Sequence, residues 1–117
     1  MVLVVDDDKV IAEALRALLA QEGYTVKAVH NGGEAYAYAR SPDCRCMLLD
    51  INMPHINGIE LLLLLQSEGV KLPTIVMAGT GDFSGTEMKQ FANVRKFLHK
   101  PFNMDEMLKT VKEYATP

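Results

Sequence analysis

The sequence has no long apolar run. Its longest, Leu61–Leu65 among them, are five residues, far short of the roughly 18 that a membrane-spanning helix requires. No membrane span is therefore expected. The basic n-region of a secretory signal is also missing, and the acidic residues Asp6, Asp7 and Asp8 stand where it would be. These two absences make the cytoplasm the default compartment. Basic charge is not in excess either. Twelve Lys and Arg against 15 Asp and Glu give a net charge of −3, and an acidic cluster repels a phosphate backbone, so direct nucleic-acid binding is not expected. Cysteine is scarce. Cys44 and Cys46 form a C-x-C pair that would share one face of a strand, with geometry that does not favour a mutual disulfide. A lone C-x-C is a weak metal signal, and the pair reads as two small apolar residues in a strand. No repeat, low-complexity tract or linker interrupts the 117 residues, which suit one domain over 1–117 without a disulfide or metal staple.

What the chain does contain is an alternation of short apolar runs and helical periods. Val2 to Val5 reads as a fully apolar strand. Val10, Ile11, Ala14, Leu15, Leu18 and Leu19 follow at helical spacing, and Gly23 stops that helix. Thr25 to Val29 reads as a second strand and Glu34 to Arg40, led by Asn-Gly-Gly, as a short helix. Cys46 to Leu49 is a third strand ending in Asp50. A helix over Ile59 to Gln66 is bracketed by Gly69 and Pro73. Thr74 to Met77 and Val94 to Leu98 read as two more strands. Ser84 with Glu87 fits a capping box for a brief helix between them. Asn103 with Glu106 caps a final helix to about Tyr114. Five strand–helix units predict a parallel sheet covered by helices on both faces. Strands buried on both faces account for the continuous apolar runs.

Such sheets bind ligands beyond the carboxyl ends of their strands. Asp6 and Asp7 end the first strand, Asp50 the third and Lys100 the fifth, so four charged groups converge on one edge. Two carboxylates about 4 Å apart repel by roughly 1 kcal/mol in water and about 4 kcal/mol near a protein surface, so the cluster calls for a cation. Oxygen ligands without His or Cys favour magnesium, which keeps waters and bridges to phosphate. Lys100 adds a point charge for a carboxylate or a phosphate oxygen. A carboxylate can itself accept a phosphoryl group as an aspartyl phosphate. Asp8 reads as the N-cap of the first helix. His30, His55 and His99 show no metal spacing and receive no role.

"VVDDD" (4–8), "MLLDINMPHINGIELL" (47–62), "PTIVMAG" (73–79) and "KFLHKPF" (96–102) together resemble the response-regulator receiver domain, the phosphoacceptor half of two-component signalling. The resemblance covers nearly the whole chain. It implies a flavodoxin-like (βα)5 fold with a five-stranded parallel sheet in the order 2-1-3-4-5. It implies that Asp50 is the phosphoacceptor, that Asp6 and Asp7 form the acidic pair with Asp7 a direct Mg2+ ligand, and that Asn52 offers its backbone carbonyl to the metal. Lys100 would contact the phosphoryl group, across a Lys100–Pro101 bond that is often cis in the family, and Phe97 would be the aromatic switch residue. The family usually carries Thr or Ser at the end of the fourth strand. Here "PTIVMAG" places Ala78 there, with Thr80 two residues on as the alternative hydroxyl. The implied partners are a histidine kinase or a histidine phosphotransfer protein. No output domain and no downstream effector is identifiable in the chain, which fits a stand-alone receiver or part of a larger regulator.

Three functions follow from these residues. The leading one is a phosphorylation-dependent signalling switch, a phosphoacceptor that assists its own phosphorylation and dephosphorylation rather than a conventional enzyme. The second is a receiver-like interaction module with weak or no phosphate-driven switching, supported by Ala78. The third is a phosphohydrolase with an aspartyl nucleophile, for which Asp50-x-Asn52 is a faint signal.

Overall fold

The computed structural model describes residues 1–51, 58–79 and 91–115. Among them are five strands, β1 (Val2–Val5), β2 (Val26–Val29), β3 (Cys46–Asp50), β4 (Thr74–Ala78) and β5 (Val94–His99). Four helices accompany them, α1 (Lys9–Gln21), α2 (Gly32–Ala39), α3 (Gly58–Ser67) and α4 (Met104–Ala115). Local chemistry sets the helix starts. The Asp8 side chain accepts from the amides of Val10 and Ile11 and opens α1, as expected of an N-cap acid. Asn31 accepts from the Glu34 amide at 2.8 Å and returns a bond to the Glu34 carboxylate at 2.8 Å. That cap starts α2 two residues before the expected Glu34. Asn103 likewise accepts from Asp105 and Glu106 ahead of α4. Gly23, with φ +93°, lets the chain leave α1 in a conformation that L side chains rarely adopt. The expected helix led by Ser84 and Glu87 lies outside the described residues.

All strand pairs are parallel, in the order β2-β1-β3-β4-β5, which is the expected doubly wound arrangement. Central and edge strands differ in burial. Every residue of β1, β3 and β4 is buried, whereas β2 exposes Lys27 and β5 exposes Arg95, Lys96 and His99. Alternate strand residues face two separate cores. Leu3, Val5, Met47, Leu49 and Val76 pack with Ala35 and Ala39 of α2 and Leu61, Leu62 and Leu65 of α3. Val4, Leu48, Ile75 and Met77 pack with Ala12, Leu15 and Leu19 of α1 and Met107 and Val111 of α4. The sheet is thus the middle of three layers, and burial of the Val, Leu, Ile and Met side chains drives its assembly at roughly 1.5–3 kcal/mol each.

The cysteines correct one expectation. Both are free and buried, but they do not share a face: Cys44 lies in the core with Met47 and Leu49, and Cys46 in the core with Leu48. The strand alternation begins only at Cys46. Cys44 sits in the preceding turn, where its amide bonds the Ser41 carbonyl at 3.1 Å. The period-2 rule therefore does not connect the two.

Candidate functional site

Register brings the site together. Val5 lies opposite Val29 on one side and Leu49 on the other, and Asp50 opposite Met77. The residues that follow β1 and end β3 therefore emerge side by side. Lys100, directly after β5, is anchored there by its amide, which donates to the Ala78 carbonyl at 2.7 Å. The Lys100–Pro101 peptide bond is cis.

Carboxylate oxygens of Asp6, Asp7 and Asp50 lie within 4.8 Å of one another. Asp6 is 0% and Asp50 5% exposed, while Asp7 faces solvent. The Lys100 ammonium bridges the two buried acids, 3.1 Å from Asp6 Oδ2 and 3.4 Å from Asp50 Oδ2. Burial disfavours the charged lysine and is the largest single influence on it. The hydrogen bond to Asp6 and the negative charges of Asp50 and Asp6 together outweigh burial and hold the Lys100 pKa above the ordinary lysine value. Asp6 Oδ1 also accepts from the Asp8 amide at 3.0 Å, so the loop after β1 folds around the Asp6 carboxylate. Asp8, committed to its cap, is not one of the clustered acids.

Three carboxylates and one ammonium give these four groups a formal charge of −2. Oxygen donors so close together, with no thiolate or imidazole in the group, suit a hard divalent cation such as Mg2+. The residues fit the ion that the sequence implied. Asn52, the expected carbonyl ligand, lies outside the described residues, as does Thr80.

The start of α3 presses on the acceptor strand. The Gly58 amide donates to the Ile51 carbonyl at 3.1 Å, and a Cβ on Gly58 would stand 2.5 Å from Ile51 Cα and 3.1 Å from the Asp50 carbonyl oxygen. Only glycine allows this approach. Ala78 is fully buried at the end of β4, opposite His99. Phe97 is half-buried against the core of α2 and α3, and its ring meets that of His99 edge-on, with centroids 4.6 Å apart. Sequence reasoning missed the place of His30, whose Nδ1 lies 3.3 Å from the Asp6 carbonyl oxygen. The available signal was register: in a parallel pair, the residue after β2 follows the same row as the residue after β1.

A parallel sheet of this order, carrying an acidic cluster bridged by a lysine at the carboxyl ends of its strands, defines a doubly wound α/β domain built to handle a charged oxygen-rich ligand at its switch point. The chain belongs to the response regulator receiver domain family, whose model matches residues 2–112. Response regulator MprA of Mycobacterium ulcerans is 36% identical over 107 residues, covering 92% of this chain and 46% of that protein. The chain thus spans about half the length of the curated relatives it matches. The receiver domain of Francisella response regulator 1452 superposes with a TM-score of 0.87 at 26% identity, covering 97% of this chain and 94% of that one. A response regulator receiver protein from Pseudomonas putida gives 0.85 at 29% identity, covering 96% and 94%. The chain is a receiver domain of the two-component type, a phosphoryl-accepting switch, and the comparisons favour this over a constitutive interaction module. Among the described residues no helix is long and apolar enough to cross a membrane.

Proposed function

We propose that Asp50 is the phosphoacceptor, that a histidine kinase or histidine phosphotransfer protein is the donor, and that Asp6, Asp7 and Asp50, with the Asn52 carbonyl, hold Mg2+. The observation that carries this reading is the Asp50 carboxylate: nearly buried, at a strand end, 3.4 Å from a lysine ammonium and grouped with two further carboxylates. An Asp50 oxygen attacks the phosphorus of the donor's phosphoimidazole. The P–N bond breaks, and the imidazole leaves with the electron pair and takes up a proton. Lys100 lies within reach of the Asp50 oxygens and stabilises the transferred group's negative oxygens by charge. Asp7, solvent-facing, stands where an incoming group meets the site. Asp6, Asp7 and Asp50 would hold a divalent ion, which when bound would supply the further positive charge needed for an anionic phosphoryl group to approach three carboxylates. Water later attacks phosphorus, releasing orthophosphate and restoring Asp50.

Incubation with acetyl phosphate and Mg2+ tests the assignment. Label should map to Asp50, and Asp50→Asn should take none, because an amide is not a nucleophile here. Label persisting on that variant at another residue would overturn it. Ala78, Thr80 and Phe97 form the proposed route from the phosphoryl group to the surface.

A further inference from the structure

We infer that His30 is a positioning residue for the acidic loop, its Nδ1–H donating to the Asp6 carbonyl and so fixing the direction in which Asp7 presents its carboxylate. The inference rests on the proposed metal-binding role of Asp7. The contact is 3.3 Å and partly buried. A carbonyl oxygen can only accept, so the hydrogen is on Nδ1.

Every polar group of Asp6 is engaged. Its amide donates to the Val29 carbonyl at 3.2 Å, one step past the β1–β2 ladder. Its two carboxylate oxygens accept from the Asp8 amide and from Lys100. Its carbonyl is the remaining group. β2 ends at Val29 and Asn31 turns away to cap α2, so the chain that would carry the ladder onward leaves the sheet. Among the described residues the donor to the Asp6 carbonyl is the imidazole of His30 instead. That carbonyl belongs to the Asp6–Asp7 peptide plane, whose rotation swings the Asp7 Cα–Cβ direction. The Asp7 side chain itself takes no hydrogen bond among the described residues, so the peptide plane that sets its Cα–Cβ direction decides which rotamers bring its carboxylate to the cluster. His30 thereby controls a ligand it does not touch, as hydrogen-bond partners behind metal ligands commonly do.

The probe is Mg2+ alone, titrated into folded protein and followed by amide shifts. His30→Phe keeps a ring and removes the donor, and His30→Asn restores a donor at the δ position. The full worth of a net hydrogen bond sets the ceiling, about tenfold, and the loss in Mg2+ affinity for His30→Phe should be about two- to tenfold, with His30→Asn recovering most of it. A role in packing alone would lower the melting temperature without this pattern in affinity. Asp7→Asn is the reference. If Asp7→Asn loses affinity while His30→Phe binds as the parent does, His30 only packs and the inference fails, leaving the metal assignment standing. If Asp7→Asn also binds normally, the metal assignment fails and this inference falls with it. Should His30→Phe not fold, the imidazole nitrogen shifts of the unsubstituted protein decide: a neutral ring protonated at Nδ1 supports the inference, and one protonated at Nε2 overturns it.

Discussion

Replacing Gly58 by alanine probes the contact between α3 and the acceptor strand. Gly58 has an ordinary helical backbone, so no φ penalty arises, and the added methyl decides the outcome. It would stand 2.5 Å from Ile51 Cα, 3.0 Å from Ile51 Cγ2 and 3.1 Å from the Asp50 carbonyl oxygen. Favourable carbon–carbon contact lies at about 3.5–4.0 Å, so either the strand end or the helix must move by roughly 1 Å. The closest atom is backbone, and no rotamer change relieves it. Overpacking of this kind costs about 1–3 kcal/mol or somewhat more. Alanine's better helix propensity returns at most about 1 kcal/mol, and less at a helix's first residue. The net loss should be about 1–3 kcal/mol, a drop of about 3–15 °C in melting temperature for a domain of this size. Gly33→Ala is the comparison: there a Cβ meets a side-chain atom, the capping Asn31 Oδ1 at 3.3 Å, which can give by a few tenths of an ångström, so the loss should be smaller, at most the roughly 1 kcal/mol of a cap. The displaced atoms adjoin Asp50, so folded Gly58→Ala should also accept phosphate from acetyl phosphate more slowly. Thermal melting by circular dichroism and a labelling time course measure both effects. A variant that melts and labels like the parent would show that the contact is slack and the reasoning wrong.

Asp7→Asn should weaken Mg2+ binding and, in chelator, raise the melting temperature slightly, since it removes about 1 kcal/mol of repulsion at a solvent-facing site; unchanged metal affinity would remove Asp7 from the ligand set. Ala78→Thr should enlarge the amide-shift response of Phe97 to beryllofluoride, because one hydrogen bond to a charged group contributes about 1.5–3 kcal/mol of the roughly 5.5 that a 1:99 to 99:1 shift requires. A full response in the unsubstituted protein that Thr80→Ala abolishes would assign the hydroxyl to Thr80 instead. Burial, aided by Cys44, pushes the Cys46 thiol up to about 12, above its unfolded value of about 8.5. Its contribution to stability is then fully present below that unfolded value and lost as pH rises toward 12. Urea midpoints should fall between these limits, less steeply in Cys46→Ala, and equal slopes would exclude the thiol as the cause.

Much of the fold was legible in the chain because five apolar runs alternate with helical periods, and each run became a strand within a residue or two. The boundaries that moved did so at caps: α2 begins at Gly32 because Asn31 captures the Glu34 amide, a side-chain bond that hydrophobic periodicity does not register. Strand order came from family resemblance, although the edge strands carry a mark of their own in Lys27 of β2 and Arg95 and Lys96 of β5, exposed basic residues of a kind that the covered strands β1, β3 and β4 lack. Convergence of Asp6, Asp7, Asp50 and Lys100 was legible because strand ends in a parallel sheet share one edge. Which acid Lys100 meets most closely was not legible, since two side chains from opposite sheet positions settle that by packing. His30 was legible only through register: its partner is a backbone carbonyl, which no side-chain pattern marks, and the β1–β2 pairing brings the two together.

The lysine geometry also bears on how this site tolerates its own charge. Two carboxylates that are 0% and 5% exposed would each be costly to bury alone, and removing the partner of a buried charge typically costs about 3–5 kcal/mol. Lys100 serves both: the bond from its amide to the Ala78 carbonyl fixes its backbone at the site, and the two acids hold its ammonium between them. Under the proposed chemistry this matters at the moment of transfer. Asp50 becomes an acyl phosphate and its negative charge moves outward onto the phosphoryl oxygens, while Asp6 keeps its own. An ammonium already 3.1 Å from Asp6 and 3.4 Å from Asp50 can follow the departing charge by a small side-chain movement without abandoning Asp6. Preorganised charge of this kind stabilises a transition state because little reorganisation remains to be done when the reaction occurs. The three adjacent aspartates after β1 are differently engaged in that arrangement: Asp6 holds the lysine and the loop, Asp8 starts the helix, and Asp7, exposed, has neither task, which suits the metal-binding role proposed for it.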